Sequence, residues 1–130
     1  MGWRQRTRAA IRAYPDLLRK DREIKETVLI AQYGGKIGGR TSGTTRTAEA
    51  AALRQLPREE QRELDAVSMA VQTTMRYRNG ALRIKIIDLV YWTASHTLEG
   101  AAQQVHVSSR AAYTWHNGFV ELVDAYLRIL

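Results

Sequence analysis

Ser109, Arg110, Tyr113, Thr114 and Asn117 combine donors, acceptors and one ring at spacings that share a helix face. Such side chains can hydrogen-bond base edges. An Arg can grip guanine through two bonds, Ser and Thr suit several bases, and a ring or the Thr methyl can pack on a thymine methyl. Thr97 and Ser108 are N-cap types placed to open two consecutive helices, where hydroxyls and backbone N–H groups can also meet phosphate. Arg76, Arg78, Arg83 and Lys85 precede this stretch and are candidate phosphate contacts. The competing reading is ordinary: any small helix pair has a polar, solvated side, and Arg110 could pair with a carboxylate instead.

The elements that must hold these groups follow from periodicity. From Thr97, Leu98, Ala101, Ala102 and Val105 form the inner side of a short helix. From Ser108, the expected stripe is Ala112, Trp115, Phe119, Leu122, Tyr126 and Ile129, ending near Arg128. It could line the core or form a seam between two copies of the chain. Small Ala101 and Ala102 allow a close crossing, and Val107 would plug the turn. His106 stands where a helix-turn-helix often has glycine, and His tolerates positive φ better than most residues. Residues 97–117 thus have the pattern of a helix-turn-helix, a unit that sets its second helix in the major groove.

Upstream, residues 81–94 fit either alternation or helical periodicity. A lone strand would have nothing to pair with, so a buried helix is expected. Asn79-Gly80 marks a turn before it. Residues 58–77 are expected to be helical, with Leu64, Val67, Ala70 or Val71, and Met75 inward and Glu59, Glu60 and Glu63 near the N-terminus. Another helix is expected from Thr47 to the region of Pro57. Near the start, residues 3–13 suggest a short basic helix interrupted at Tyr14-Pro15. A second helix should then run to about Gln32, with Leu17, Ile24, Val28 and Ala31 on one stripe. Its Arg19, Lys20, Arg22 and Lys25 read as a solvated, ion-paired face or as phosphate contacts. The expected organisation is all-α: a basic helical segment at 1–33, a glycine-rich connector at 34–46 and a helical domain at 47–130.

Gly34 to Thr41 reads G-x-x-x-x-G-R-T, one substitution from a phosphate-binding loop. That loop needs a strand before it, a Lys and an α/β sheet, none of which the sequence suggests, so no nucleotide or other cofactor is expected. His96, His106 and His116 stand ten residues apart and match no metal-binding spacing. No nucleophile and base are paired, so an enzyme is not expected. Cysteine is absent, which fits a reducing cytosol, and no apolar run is long enough to span a bilayer.

Net charge is +7 over 130 residues, which favours polyanionic partners. Its distribution is uneven. Residues 1–40 carry ten Lys/Arg against four Asp/Glu, whereas residues 79–130 carry four of each. The candidate reading helix therefore lies in a neutral third, and the first third must either touch phosphate too or leave it a weak binder.

From Ile87 onward the chain resembles the RinA family of phage late transcriptional regulators. The resemblance rests on the aromatic pair Tyr91-Trp92 and on Val105-His106-Val107-Ser108-Ser109-Arg110-Ala111-Ala112, which is similar to that family's I-H-I-S-x-R-T-A pattern. Upstream, Tyr14-Pro15, the glycine connector and the helix with Leu64, Val67, Ala70 and Val71 fall in the same order. The resemblance implies a helix-turn-helix like that of sigma factor region 4, and a function in activating late genes on double-stranded DNA. It also implies a location in the bacterial cytoplasm and contact with host RNA polymerase. One departure is clear: basic residues usual after the turn are replaced here by Trp115, His116 and Asn117. Alternatives are a DNA-packaging protein such as a small terminase subunit, or a helical module that binds protein only.

Overall fold

The computed structural model describes residues 2–34 and 55–130. Among these every element is helical. In chain order they are α1 (Trp3–Gly34), α2 (Arg58–Met75), α3 (Gly80–Ile87) with a π-helical continuation (Asp88–Trp92), α4 (Leu98–Gln104) and α5 (Ser109–Ile129). The glycine-rich connector, the phosphate-loop-like stretch and the helix expected from Thr47 lie outside the described residues, except that Gly34 ends α1 and residues 55–57, at the end of that expected helix, are not helical. Residues 81–94 are helical over most of their length, as expected from the lack of a strand partner. No helix among the described residues is long and apolar enough to cross a membrane.

The chain forms two compact units. One joins residues 1–15 to 62–130, and the other comprises 16–61. Residues 1–15, the start of the expected basic segment 1–33, therefore share a unit with 62–130.

In the larger unit, Ile11 of α1, Ala66, Val67 and Ala70 of α2, Ile87, Tyr91, and Phe119, Val120 and Val123 of α5 form one buried cluster. A second cluster gathers Ile86, Leu89, Ala101, Ala102 and Ala112, with Val105, Val107 and Trp115 packed against it. Removing this apolar surface from water is the main favourable contribution to folding. Arg62 donates from Nη1 to the carbonyl of Leu127 at 2.8 Å, satisfying an acceptor in the last turn of α5.

Three expectations are corrected. First, α1 is not interrupted at Tyr14-Pro15; Pro15 lies inside a continuous helix of 32 residues. Proline there cannot donate to the carbonyl of Ile11. The Trp92 indole N–H fills the vacancy, donating to Ile11 O at 2.8 Å. Second, α2 buries Thr74, not Met75, which is 51% exposed. Third, the buried stripe of α5 is Ala112, His116, Phe119, Val120 and Val123. Trp115, Leu122 and Tyr126 are only half-buried, and Ile129 is exposed.

Between α2 and α3 the chain turns through Arg76–Asn79, with Asn79 in the left-handed region at φ 60°. Gly80 is required by close approach. A Cβ there would stand 2.5 Å from the Thr74 carbonyl oxygen.

In the smaller unit, the α1 charges pair mostly along the helix. Arg19 meets Asp16 and Glu23 at 3.3 and 3.4 Å, Lys25 meets Asp21 at 2.8 Å, and Lys20 reaches Glu60 at 3.4 Å. These pairs are largely exposed and contribute little stability. Leu17 is buried, while Ile24, Val28 and Ala31 are half-buried.

Candidate nucleic-acid interface

Both N-caps form as the sequence indicates. Thr97 accepts from Gly100 N through its hydroxyl oxygen at 3.0 Å, and Ser108 accepts from Ala111 N at the same distance. Each satisfies an otherwise orphaned donor. α4 closes with paired bonds: Val107 N donates to Ala102 O at 3.0 Å and His106 N to Gln103 O at 3.2 Å. This is the Schellman pattern, in which the residue after the cap takes a left-handed conformation. His106 is that residue, at φ 61°. The reversal turns Val107 inward against the second apolar cluster and leaves His106 exposed.

The start of α4 is set by the π-helical turn. Thr93 N donates to Asp88 O at 2.8 Å, and Ser95 N and His96 N both reach Leu89 O. Ala94 takes φ 55° as the chain leaves the turn. Consecutive aromatic residues here serve different partners. Trp92 reaches α1, where it also packs on Tyr14 with ring centroids 5.3 Å apart. Tyr91 turns to α5 and shares a 2.7 Å hydrogen bond with Nε2 of His116.

His116 is a buried residue that neither the expected site nor the expected core includes. Its Nδ1 faces Asn117 Oδ1 at 2.9 Å. Since that oxygen only accepts, Nδ1 carries the proton and Nε2 accepts from the Tyr91 hydroxyl. Burial holds the imidazole pKa below its ordinary value, and burial also raises that of the Tyr91 phenol. The sequence does carry a signal for His116: it follows Ala112 by four residues and precedes Phe119 by three, on the inward side.

All five proposed base-reading residues, Ser109, Arg110, Tyr113, Thr114 and Asn117, are exposed on α5. Two are already oriented by neighbours. Tyr113 donates its hydroxyl hydrogen to Glu99 of α4, which raises the phenol pKa and lowers that of the carboxylate. Asn117 accepts from His116. Arg110 makes no ion pair among the described residues.

The proposed phosphate contacts differ in their freedom. Arg76 and Arg78 are exposed in the turn after α2. Lys85 lies 3.7 Å from Asp88. The Thr97 and Ser108 oxygens act as caps, and both residues remain exposed. Arg83 is half-buried. Its guanidinium carbon lies 5.3 Å from the ring centroids of both Tyr77 and Trp115. Cation–π contact of this kind fixes the group's position while leaving its charge intact.

Two cations of α1 also approach the α5 side. Arg12 lies over the Tyr91 ring at 5.4 Å, and the charge of Arg8 is felt by both Tyr91 and His116. Their four-residue spacing is visible in the sequence, but their neighbour is not. Among the described residues no group of three His, Asp or Glu side chains could hold a metal ion. No family model matches the chain, and no curated protein or solved structure matches it.

Proposed function

We propose that the chain binds double-stranded DNA by setting the exposed face of α5 in the major groove, as a helix-turn-helix transcriptional regulator of the phage late-gene type. The observation that carries this reading is the common exposure of Ser109, Arg110, Tyr113, Thr114 and Asn117 on α5, directly after a capped turn. The Schellman closure at His106 and the Ser108 cap together fix how α5 leaves the turn. That restriction matters because a reading helix must present its first turns to the bases at a defined angle. Arg110, Thr114 and Ser109 address base edges, and Arg83, Arg76 and Arg78 address the sugar–phosphate backbone. The link to late genes and to host RNA polymerase rests on the resemblance to RinA regulators.

Selection of bound fragments from genomic DNA at a stated salt concentration tests the reading. Recovery of a shared sequence supports it, and the absence of any salt-dependent affinity for duplex DNA overturns it. On the selected site, Arg110→Ala is expected to cost roughly 1–3 kcal/mol of specific binding. Equal affinities for wild type and variant would remove Arg110 from the reading face.

A further inference from the structure

The charge distribution poses a problem for a DNA-reading α5, since residues 79–130 carry no net charge. The fold answers it by placing cations from other elements along the edges of α5. With about 3.6 residues per turn, Trp115 lies on one edge of the buried stripe and His116 and Val120 lie towards the other. Arg83 is stacked on Trp115 at the first edge. At the second, His116 bonds Tyr91, and Arg12 of α1 lies over that same Tyr91 ring. Arg8 acts on both Tyr91 and His116. Arg4 precedes Arg8 by one helical turn, so Arg4, Arg8 and Arg12 follow one another along a single side of α1. Arg4 and Arg12 are exposed, and Arg4 rests 4.8 Å from the Trp3 ring centroid.

We infer that the Arg4–Arg8–Arg12 row of α1 forms a second phosphate-binding wall beside α5, opposite the one supplied by Arg83, and that it holds the DNA backbone flanking the groove. This rests on the reading of α5 as a DNA-facing helix. It explains why the basic excess resides at the start of the chain while the reading residues lie near its end. Continuity with the α5 face and the sign of the charge select the polyanionic backbone as occupant. The row contributes affinity without sequence preference, because phosphates carry no base identity.

Binding of the full chain to a mixed-sequence DNA duplex, measured over a series of salt concentrations, tests the inference. The slope of log affinity against log salt should fall by about 0.9 for each phosphate that is no longer neutralised. Arg4→Gln combined with Arg12→Gln should therefore flatten the slope by about 1.8. The fragment preference of the wild type should be retained. Arg4→Lys with Arg12→Lys should restore the slope, separating charge from packing. Because Arg12 also covers Tyr91, Arg4→Gln alone provides a variant that leaves the core intact, with an expected flattening of about 0.9. As a control matched in charge to that single variant, Arg128→Gln should leave the slope unchanged. An unchanged slope in the Arg4 and Arg12 variants, or an equal flattening in the control, overturns the inference while DNA binding stands. A wild-type chain with no affinity for any duplex overturns the DNA reading itself and this wall with it.

Discussion

The indole N–H of Trp92 donates to the carbonyl oxygen of Ile11 at 2.8 Å. That oxygen is the acceptor that a residue 15 with an N–H would have satisfied. A proline within a helix removes one ladder bond and crowds the carbonyl four residues back. Here a distant tryptophan makes good the missing bond, at a residue that is fully buried.

Trp92→Phe should therefore destabilise the protein by about 1–3 kcal/mol by leaving a buried acceptor without a donor, in addition to any packing loss. With Pro15→Ala in the background, the restored backbone N–H can take over, and the cost of Trp92→Phe should shrink. A double-mutant cycle measured by urea unfolding reads this coupling directly. Strictly additive effects would show that the two residues act independently.

Stability should fall on acidification through His116. Its folded-state pKa is depressed by burial, while in the unfolded chain it titrates near its ordinary value. The folded form thus binds fewer protons across the interval between the two values. The stabilisation from neutral His116 is complete above the unfolded-state pKa of about 6.5 and is lost progressively as pH falls towards the folded-state value. Urea midpoints measured from pH 8 to pH 5 should show this slope in the wild type. His116→Gln should weaken it.

Gly80→Ala should cost roughly 1–3 kcal/mol, because a Cβ 2.5 Å from the Thr74 carbonyl oxygen requires backbone at the end of α2 to move. A thermal melt compares the variant with Ala81→Gly, which alters the same helix end without that clash.

Ser108→Ala should lower stability by about 0.5–2 kcal/mol through loss of the cap bond to Ala111 N. Ser108→Asp keeps an acceptor and should recover most of it. Hydrogen exchange at Ala111 localises the effect: the amide should exchange faster in the alanine variant and not in the aspartate one.

Tyr113→Phe should return the Glu99 carboxylate towards its ordinary pKa, since the phenol hydrogen bond is the main cause of its depression. Side-chain carbon chemical shifts followed through an acid titration would detect the rise. An unmoved Glu99 titration would mean the α4–α5 tether is not formed in solution.

Local chemistry decides which of these features are legible in the sequence. The caps at Thr97 and Ser108 are legible because capping is decided by the residue itself and its next few neighbours. His106 is legible for the same reason: few residue types accept a left-handed conformation. The phase of α5 is only partly legible, since hydropathy favours Trp115 and disfavours His116. The fold buries the histidine because Tyr91 and Asn117 satisfy both ring nitrogens. Thr74 also displaces Met75 at the end of α2 against hydropathy, although its buried hydroxyl has no hydrogen-bond partner among the described residues. The continuity of α1 is not legible at all. Its rescuing donor, Trp92, is remote in sequence, and only tertiary packing brings the two together.

The union of residues 1–15 with 62–130 in one unit bears on how the chain is made. Ile11 has its buried partners in α2, in the π-helical turn and in α5, as far along as Val123. During synthesis the cluster around its apolar side chain therefore stays incomplete until residues as far along as Val123 have been translated. Domains mature as units, and exposed apolar segments invite misassembly in the interval. A nascent chain halted before α5 should be captured by folding helpers, and release of the last helix should let it go.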